Sequence, residues 1–268
     1  MSFFRNKVVI VTGGTDGIGR ALVDTLLARG AKVVTCGRNY DKLYNIQTQY
    51  AERPFAAIPA DVSVESDCKK ICETAIQLFG SIDFLINNAG ISMRALFSDT
   101  NIETLHKVMD INFWGAVYCT KYALPHLLQS KGSIVGVSSI AGYRGLPGRS
   151  GYSASKYALQ GWMEALRTEL LHSNVNVMWV CPGFTQSNIR NVALDIKGQP
   201  QGESPMDEQS LMTASECAAH ILESIEKKER TLVLTSKGKQ TVWLNRLWPS
   251  LADRLTYKFF FKDGKLIK

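Results

Sequence analysis

Tyr152 and Lys156 stand four residues apart in "SGYSASKYALQGWMEALRTEL" (150–170), a stretch that reads as helix. Residues at that spacing share a helical face, so a phenol and an ammonium point the same way. As a surface pair they would add roughly 0.2–0.5 kcal/mol. As chemistry they are a proton donor beside a cation: a free phenol has a pKa of about 10, and a nearby positive charge favours the phenolate. Upstream, the run "GSIVGVSS" (132–139) ends on Ser139, a hydroxyl at the end of a candidate strand. A strand-end serine and a helix-borne tyrosine can both face a substrate carbonyl above a sheet. Serine-hydrolase chemistry is disfavoured, because Gly136-Val137-Ser138 runs into Ser139 and Ile140, no G-x-S-x-G elbow forms, and no histidine partner is evident.

A second group of residues could hold a nucleotide. "TGGTDGIGR" follows the run "KVVIVTG" (7–13), with Gly13, Gly17 and Gly19 spaced G-x-x-x-G-x-G and with Thr15 and Ile18 in the same turn. Glycines let the backbone approach a pyrophosphate, and the helix that follows offers free N–H groups and its positive dipole end. The strand–turn–helix setting is the one such a motif requires. It is not a P-loop, since no Gly-Lys-Ser/Thr follows. At the end of the next strand an acid would accept the ribose 2′-hydroxyl of NAD, but Gly37, Arg38 and Asn39 stand there and Asp41 lies too far on. A guanidinium suits a 2′-phosphate, so the expected cofactor is NADP(H).

These groups need a frame. Runs at 7–13, 31–37, 55–61, 82–90, 132–139, 175–183 and 230–236 are mostly continuous apolar stretches, as strands covered on both faces read. Helical segments lie between them: "GIGRALVDTLLARG" has Ile18, Ala21, Leu22 and Leu26 on one face and closes on Gly30, and "VESDCKKICETAIQLFG" opens after Ser63 and closes on Gly80. The alternation predicts an α/β fold, a doubly wound (Rossmann) parallel sheet of about seven strands. It forms a single domain over 1–237, with 238–268 as a C-terminal extension. Residues 184–213 are polar, rich in Gly and Pro, and too long for a plain connection. They follow a strand's C-terminal end, where ligands bind, and are expected to form a substrate lid.

Composition excludes several classes. The chain has 268 residues, 45% of them hydrophobic, enough for one large domain. No run of 18 apolar residues could span a membrane, and the opening "MSFFRNKVVIVTGG" lacks a signal-peptide pattern. Six scattered cysteines fit a reducing, cytoplasmic setting; Cys68 and Cys72 could clip a metal, but no further Cys or His repeats the spacing, so no metal site is expected. The net charge of +7 is local: residues 226–268 hold 11 Lys/Arg against 4 Asp/Glu, and the remainder is balanced. In the extension, Val242, Trp243, Leu247, Leu251 and Leu255 make a helical stripe broken at Pro249, interleaved with Lys239, Arg246, Arg254 and Lys258 and followed by Phe259, Phe260 and Phe261. Such a segment suits an anionic membrane surface, as a peripheral contact, or a wall packed over the pocket or across a subunit interface. No nucleic-acid module accompanies the charge.

Taken together the motifs resemble the short-chain dehydrogenase/reductase (SDR) family, in its NADP(H)-preferring, hydroxysteroid-dehydrogenase-like branch. The resemblance covers about residues 6–236 and rests on "TGGTDGIG", "NNAG" (87–90), Asn112, "SS" (138–139), "YSASK" (152–156) and "CPG" (181–183). It implies an oxidoreductase that reduces a carbonyl to a secondary alcohol, or the reverse. In it Tyr152 is the general acid or base, and Ser139 holds the carbonyl oxygen. Lys156 lowers the Tyr152 pKa and binds the nicotinamide ribose, and Asn112 holds a relay water. It further implies that Asp61 and Val62 contact the adenine, that Asn88, Ala89 and Gly90 line the adenosine ribose side, and that Pro182 and Gly183 approach the nicotinamide. The threonine usual after "PG" is replaced by "FTQS", so either Thr185 or Ser187 supplies that hydroxyl. The implied substrate is a lipophilic carbonyl or alcohol of sterol, long-chain ketone or 3-ketosphingoid type, and the implied assembly is a homodimer or homotetramer. The rival reading is a non-catalytic NADP(H)-binding sensor or scaffold.

Overall fold

Each of the seven apolar runs forms a strand: β1 (Val8–Thr12), β2 (Lys32–Gly37), β3 (Phe55–Pro59), β4 (Phe84–Asn87), β5 (Ser133–Val137), β6 (Asn176–Cys181) and β7 (Thr231–Val233). In the computed structural model, which describes residues 2–267, they make one parallel sheet in the order β3-β2-β1-β4-β5-β6-β7. The helices are α1 (Gly17–Ala28), α2 (Tyr40–Gln49), α3 (Glu65–Phe79), α4 (Ile102–Met109), α5 (Gly115–Ser130), α6 (Ser150–Glu169) and α7 (Ala214–Glu226).

The continuous apolarity has a direct cause. Side chains alternate across a strand, so Val9 and Val11 pack with Leu22 and Leu26 of α1 and Ile221 of α7, while Val8 and Ile10 join the opposite core with α3, α5 and α6. Both faces of the sheet are thus buried, and no strand can carry a polar alternation. The strand order reverses between β1 and β4, which opens a crevice at the carboxyl ends of the strands.

Two helices near this crevice begin irregularly. Helix α3 starts with Val64 at its cap and no side-chain cap bond; the Ser63 hydroxyl instead donates to Asp61 Oδ1 at 2.7 Å. Between α4 and α5 the chain makes a π-type turn, Asp110–Trp114, in which the Gly115 N–H reaches back to the Asp110 carbonyl. Such wide turns are most often found at functional positions.

Residues 184–213 are held in place by backbone pairing. Leu194 N–H donates to Ser92 and its carbonyl accepts from Arg94, at 2.9 and 2.8 Å, and Thr185 bridges to Met212. Beyond β7 the chain forms α8 (Ser236–Leu247), α9 (Pro249–Phe260) and a short hairpin of β8 (Phe261–Lys262) with β9 (Lys265–Leu266). Pro249 breaks the stripe by opening α9 at its first turn, where its missing N–H costs nothing. Arg144, just before α6, ties both helices down: it donates to Asn245 at 3.0 Å and to Asp253 at 2.6 Å. Ala252 and Phe260 face inward and are buried. No helix among the described residues is long and apolar enough to cross a membrane.

Candidate active site

The carboxyl ends of β1, β2, β4, β5 and β6 open into a cleft of about 1160 Å³ that extends under α8 and α9. At its base, Gly13 has φ 68° and Gly17 φ 53°, a left-handed backbone that only glycine adopts freely. Gly19 needs its missing side chain for another reason: a Cβ there would lie 2.3 Å from the Gly13 carbonyl oxygen and 2.4 Å from Asn88 Nδ2. The turn is braced from behind by Asn88, whose amide donates to the Thr12 carbonyl at 2.9 Å, while the Thr12 hydroxyl accepts from the N–H groups of Asn88 and Ala89. Helix α1 then points its N-terminus into the cleft, capped by Asp16.

At the end of β2, Arg38 is half exposed and lies 3.6 Å from Asp61 Oδ2. Burial raises the Asp61 pKa, but hydrogen bonds from Ser63 and the Arg38 charge outweigh it and hold the carboxyl below its usual range. Asn39 and Lys42 border the same end of the cleft.

The opposite wall comes from β5 and α6. Ser139 caps a short turn, its hydroxyl accepting from the Ala141 N–H at 3.2 Å. Burial pushes the Tyr152 phenol up, and a hydrogen bond with Ser139, then the charge of Arg149, act in the other direction without reversing it. Lys156 is 4% exposed; its Nζ donates to the Val137 carbonyl at 2.9 Å and lies 5.6 Å from the Tyr152 ring centre. Burial holds Lys156 down to about 8. Burial is thus the largest influence on both groups, raising the phenol and lowering the ammonium.

Asn112 sits in the π-type turn and is 2% exposed. Its Oδ1 accepts from Ile91 N at 2.8 Å, and its Nδ2 donates to the Ile91 carbonyl and to Ser155 Oγ at 2.9 and 3.0 Å. Asn112 and Lys156 flank Gly90, where an added Cβ would lie 3.1 Å from Oδ1 and 3.5 Å from Nζ. The amide thus clamps the segment after β4 against α6.

Of the site residues that the sequence singles out, all but Asn112 line this cleft, and Asn112 stands behind its wall. Thr185 borders the cleft while buried, its hydroxyl turned to the Gly183 carbonyl at 3.3 Å. Ser187 instead faces the glycine turn, 3.2 Å from where a Gly17 Cβ would be. Gly183 is pressed against Thr235, whose own φ is 65°, and a Cβ at Gly183 would meet the Thr235 hydroxyl at 2.6 Å. Sequence reasoning misses Lys42, Arg149 and Arg190, and it leaves open whether the extension walls the cleft, which it does through Trp243, Leu255, Phe259 and Phe260. One signal does point to Arg149: a cation at a helix N-terminus opposes the dipole. Among the described residues no cluster could hold a metal ion.

A parallel sheet of this order, with a glycine turn at its switch point and a cleft above it, defines the doubly wound class whose members bind ligands at that edge. Within that class the chain belongs to the short-chain dehydrogenase family of oxidoreductases, whose model it matches over residues 7–195. It is 35% identical to dehydrogenase/reductase SDR family member 7B of Mus musculus, over 98% of this chain and 84% of that protein. It is also 35% identical to 11-beta-hydroxysteroid dehydrogenase-like 4A of Arabidopsis thaliana, over 91% of this chain and 82% of that one. A short-chain dehydrogenase/reductase from Burkholderia phymatum, solved in complex with NAD, has the same fold, with a TM-score of 0.83 at 22% identity over 94% of this chain and 96% of that chain.

Proposed function

We propose that this protein is an NADP(H)-dependent oxidoreductase that interconverts a carbonyl and a secondary alcohol on a lipophilic molecule. The observation that carries the reading is the wall formed by Ser139, Tyr152 and Lys156 facing the glycine turn across one cleft. The names of the relatives from Mus musculus and Arabidopsis thaliana, a dehydrogenase/reductase and a hydroxysteroid-dehydrogenase-like protein, agree with it.

The residues present fit a dinucleotide. The cradle at Gly13 and Gly19 would be filled by any side chain, and the positive end of α1 and its free N–H groups suit the phosphates. Arg38 would take a 2′-phosphate with Asn39 and Lys42 beside it; its half-exposed pairing with Asp61 contributes little and yields readily. Asp61 and Val62 would border the adenine, Asn88 to Gly90 the adenosine ribose, and Pro182, Gly183 and Thr185 or Ser187 the nicotinamide. Bound there, the nicotinamide supplies or accepts the hydride.

The chain's own groups do the remainder. Ser139 would hold the carbonyl oxygen, and Tyr152, kept neutral by burial, would donate its proton to that oxygen. Lys156 would hold the ribose hydroxyls with the donors not used on Val137. With the Asn112 amide committed to Ile91 and Ser155, a relay water would rest on that turn's main chain. The apolar side of the cleft, with Phe184, Leu255, Phe259 and Phe260, suits a lipophilic body.

Arg38→Asp tests the cofactor reading in steady-state assays over a panel of ketones. It should raise KM for NADPH by at least about tenfold, a change of about 1.4 kcal/mol, with KM for NADH little changed. A wild-type protein that prefers NADH would overturn the NADP(H) assignment, as would a variant with unaltered KM for NADPH.

The outer face of the extension favours a membrane-surface contact in addition. Leu247, Trp248 and Leu251 are about half exposed beside Arg254 and Lys258, an apolar and basic face suited to anionic lipid. The protein should sediment with phosphatidylserine-containing vesicles and much less with neutral ones, and Trp248→Ser with Leu251→Ser should reduce that binding several-fold. Equal recovery of the two proteins would remove the extension from the contact.

A further inference from the structure

Arg149 is the residue in the cleft whose burial is hardest to account for. It is 9% exposed, its Nε is buried without a hydrogen-bond partner, and its guanidinium makes no hydrogen bond or ion pair among the described residues. It lies over the aromatic ring of Phe260, 5.8 Å from the ring centre. Burial acts most strongly against its charge; Tyr152 beside it acts the other way, and Arg190 and Arg94 add to the lowering, Arg94 being itself 3.5 Å from Glu203. Arg149 also occupies the N-terminal cap of α6 without a side-chain cap bond, at the end of the helix where the dipole opposes a cation. Removing a guanidinium from water without a partner is strongly unfavourable, and an unpaired one is retained only if something else compensates.

An anion seated on Arg149 would pair with the guanidinium and meet the positive end of α6. Arg149 lies three residues before Tyr152, lines the same cleft, and acts on the phenol through its charge, so an anion there and a carbonyl at Tyr152 can belong to one molecule. Beyond them the cleft is apolar, with Phe259, Phe260 and Leu255 from α9. We propose that Arg149 is a specificity-determining residue that seats an anionic group of the substrate, and that the substrate is an amphiphile: a carbonyl or alcohol compound carrying a carboxylate or a group of like charge on an apolar body. This rests on the cleft being the substrate site and narrows a merely lipophilic ligand to an acidic one.

Decanoate and decan-1-ol, equal in chain length and differing in charge, are the probes. Each is titrated against the NADP+-loaded protein at neutral pH, with the fluorescence of Trp243 at the cleft as the readout. Decanoate should bind at least about ten times more tightly than decan-1-ol, which is about 1.4 kcal/mol. Arg149→Met, which keeps the apolar stem, should bring the two affinities within about twofold while leaving that for decan-1-ol unchanged. Arg149→Lys should restore part of the preference, and Arg254→Gln, on the exposed face of α9, should leave all of it. Equal affinities in the wild-type protein would overturn the proposal, as would a preference that survives Arg149→Met or vanishes in Arg254→Gln. Because the readout is binding, it separates from the assignment of Tyr152: a preference for decanoate in a protein that reduces no ketone would retain the anion site and sink the reaction.

Discussion

Tyr152→Phe should reduce turnover of any carbonyl substrate by about 10³-fold, the scale of a lost general acid. The substitution removes one hydroxyl from a half-buried ring that packs against the core, so the fold should be unaffected. Among the described residues no other phenol lines the cleft: Tyr157 is on the outer side of α6, its hydroxyl bonded to the Tyr143 carbonyl. Cofactor affinity should stay within about threefold, since Arg38 and the glycine turn, which bear most of the proposed cofactor contact, are untouched. Fluorescence titration of NADPH alongside turnover reads both quantities. A variant that kept a tenth of the wild-type rate would show that the proton comes from elsewhere, and wild-type protein inactive on every ketone despite tight NADPH binding would favour a sensor or scaffold.

Gly19→Val should have the second-largest effect, on cofactor binding. Even a methyl at this position would fall 2.3 Å from the Gly13 carbonyl oxygen, and Asn88, which ties the turn to β4, would be displaced as well. The Gly13 carbonyl is main chain and cannot swing aside as a side-chain end can, so the turn itself must move. We expect NADPH affinity to drop about 100-fold, close to 3 kcal/mol, together with a lower melting temperature. By contrast Gly161→Ala on α6, where an added methyl meets nothing within 4 Å, should leave binding as it is and the melting temperature unchanged or slightly raised, since alanine favours a helix interior, and serves as the control. Unchanged NADPH affinity in Gly19→Val would mean that the dinucleotide does not lie over this turn.

The sheet is legible in the sequence because its strands carry their own signature. Val8 to Val11, or Ile134 to Val137, are apolar without alternation, and burial on both faces accounts for that pattern. The glycine turn, Ser139, Tyr152 and Lys156 are legible because each sits at a fixed offset from the end of a strand or along one helix. What stays hidden depends on contacts between segments far apart in the chain. Arg144 meets Asp253, Phe184 stacks on Phe259, and Arg149 lies over Phe260; no periodicity or motif encodes such pairings. The partner of Lys156 escapes the sequence for a related reason. A spacing of four places Lys156 on the same face, but it is the Val137 carbonyl on β5 that claims the ammonium.

The placement of α8 and α9 has a consequence for biogenesis. The sheet is complete at Val233, yet the wall of the cleft is built by residues as late as Phe260. Chains emerge from the ribosome at about 5–20 residues per second, and domains begin to fold from the N-terminal side. For a few seconds a nascent chain would therefore hold a finished sheet with the apolar side of its cleft uncovered. In that interval the apolar side of the cleft would face water, until Arg144 captures Asp253 and the cover is closed.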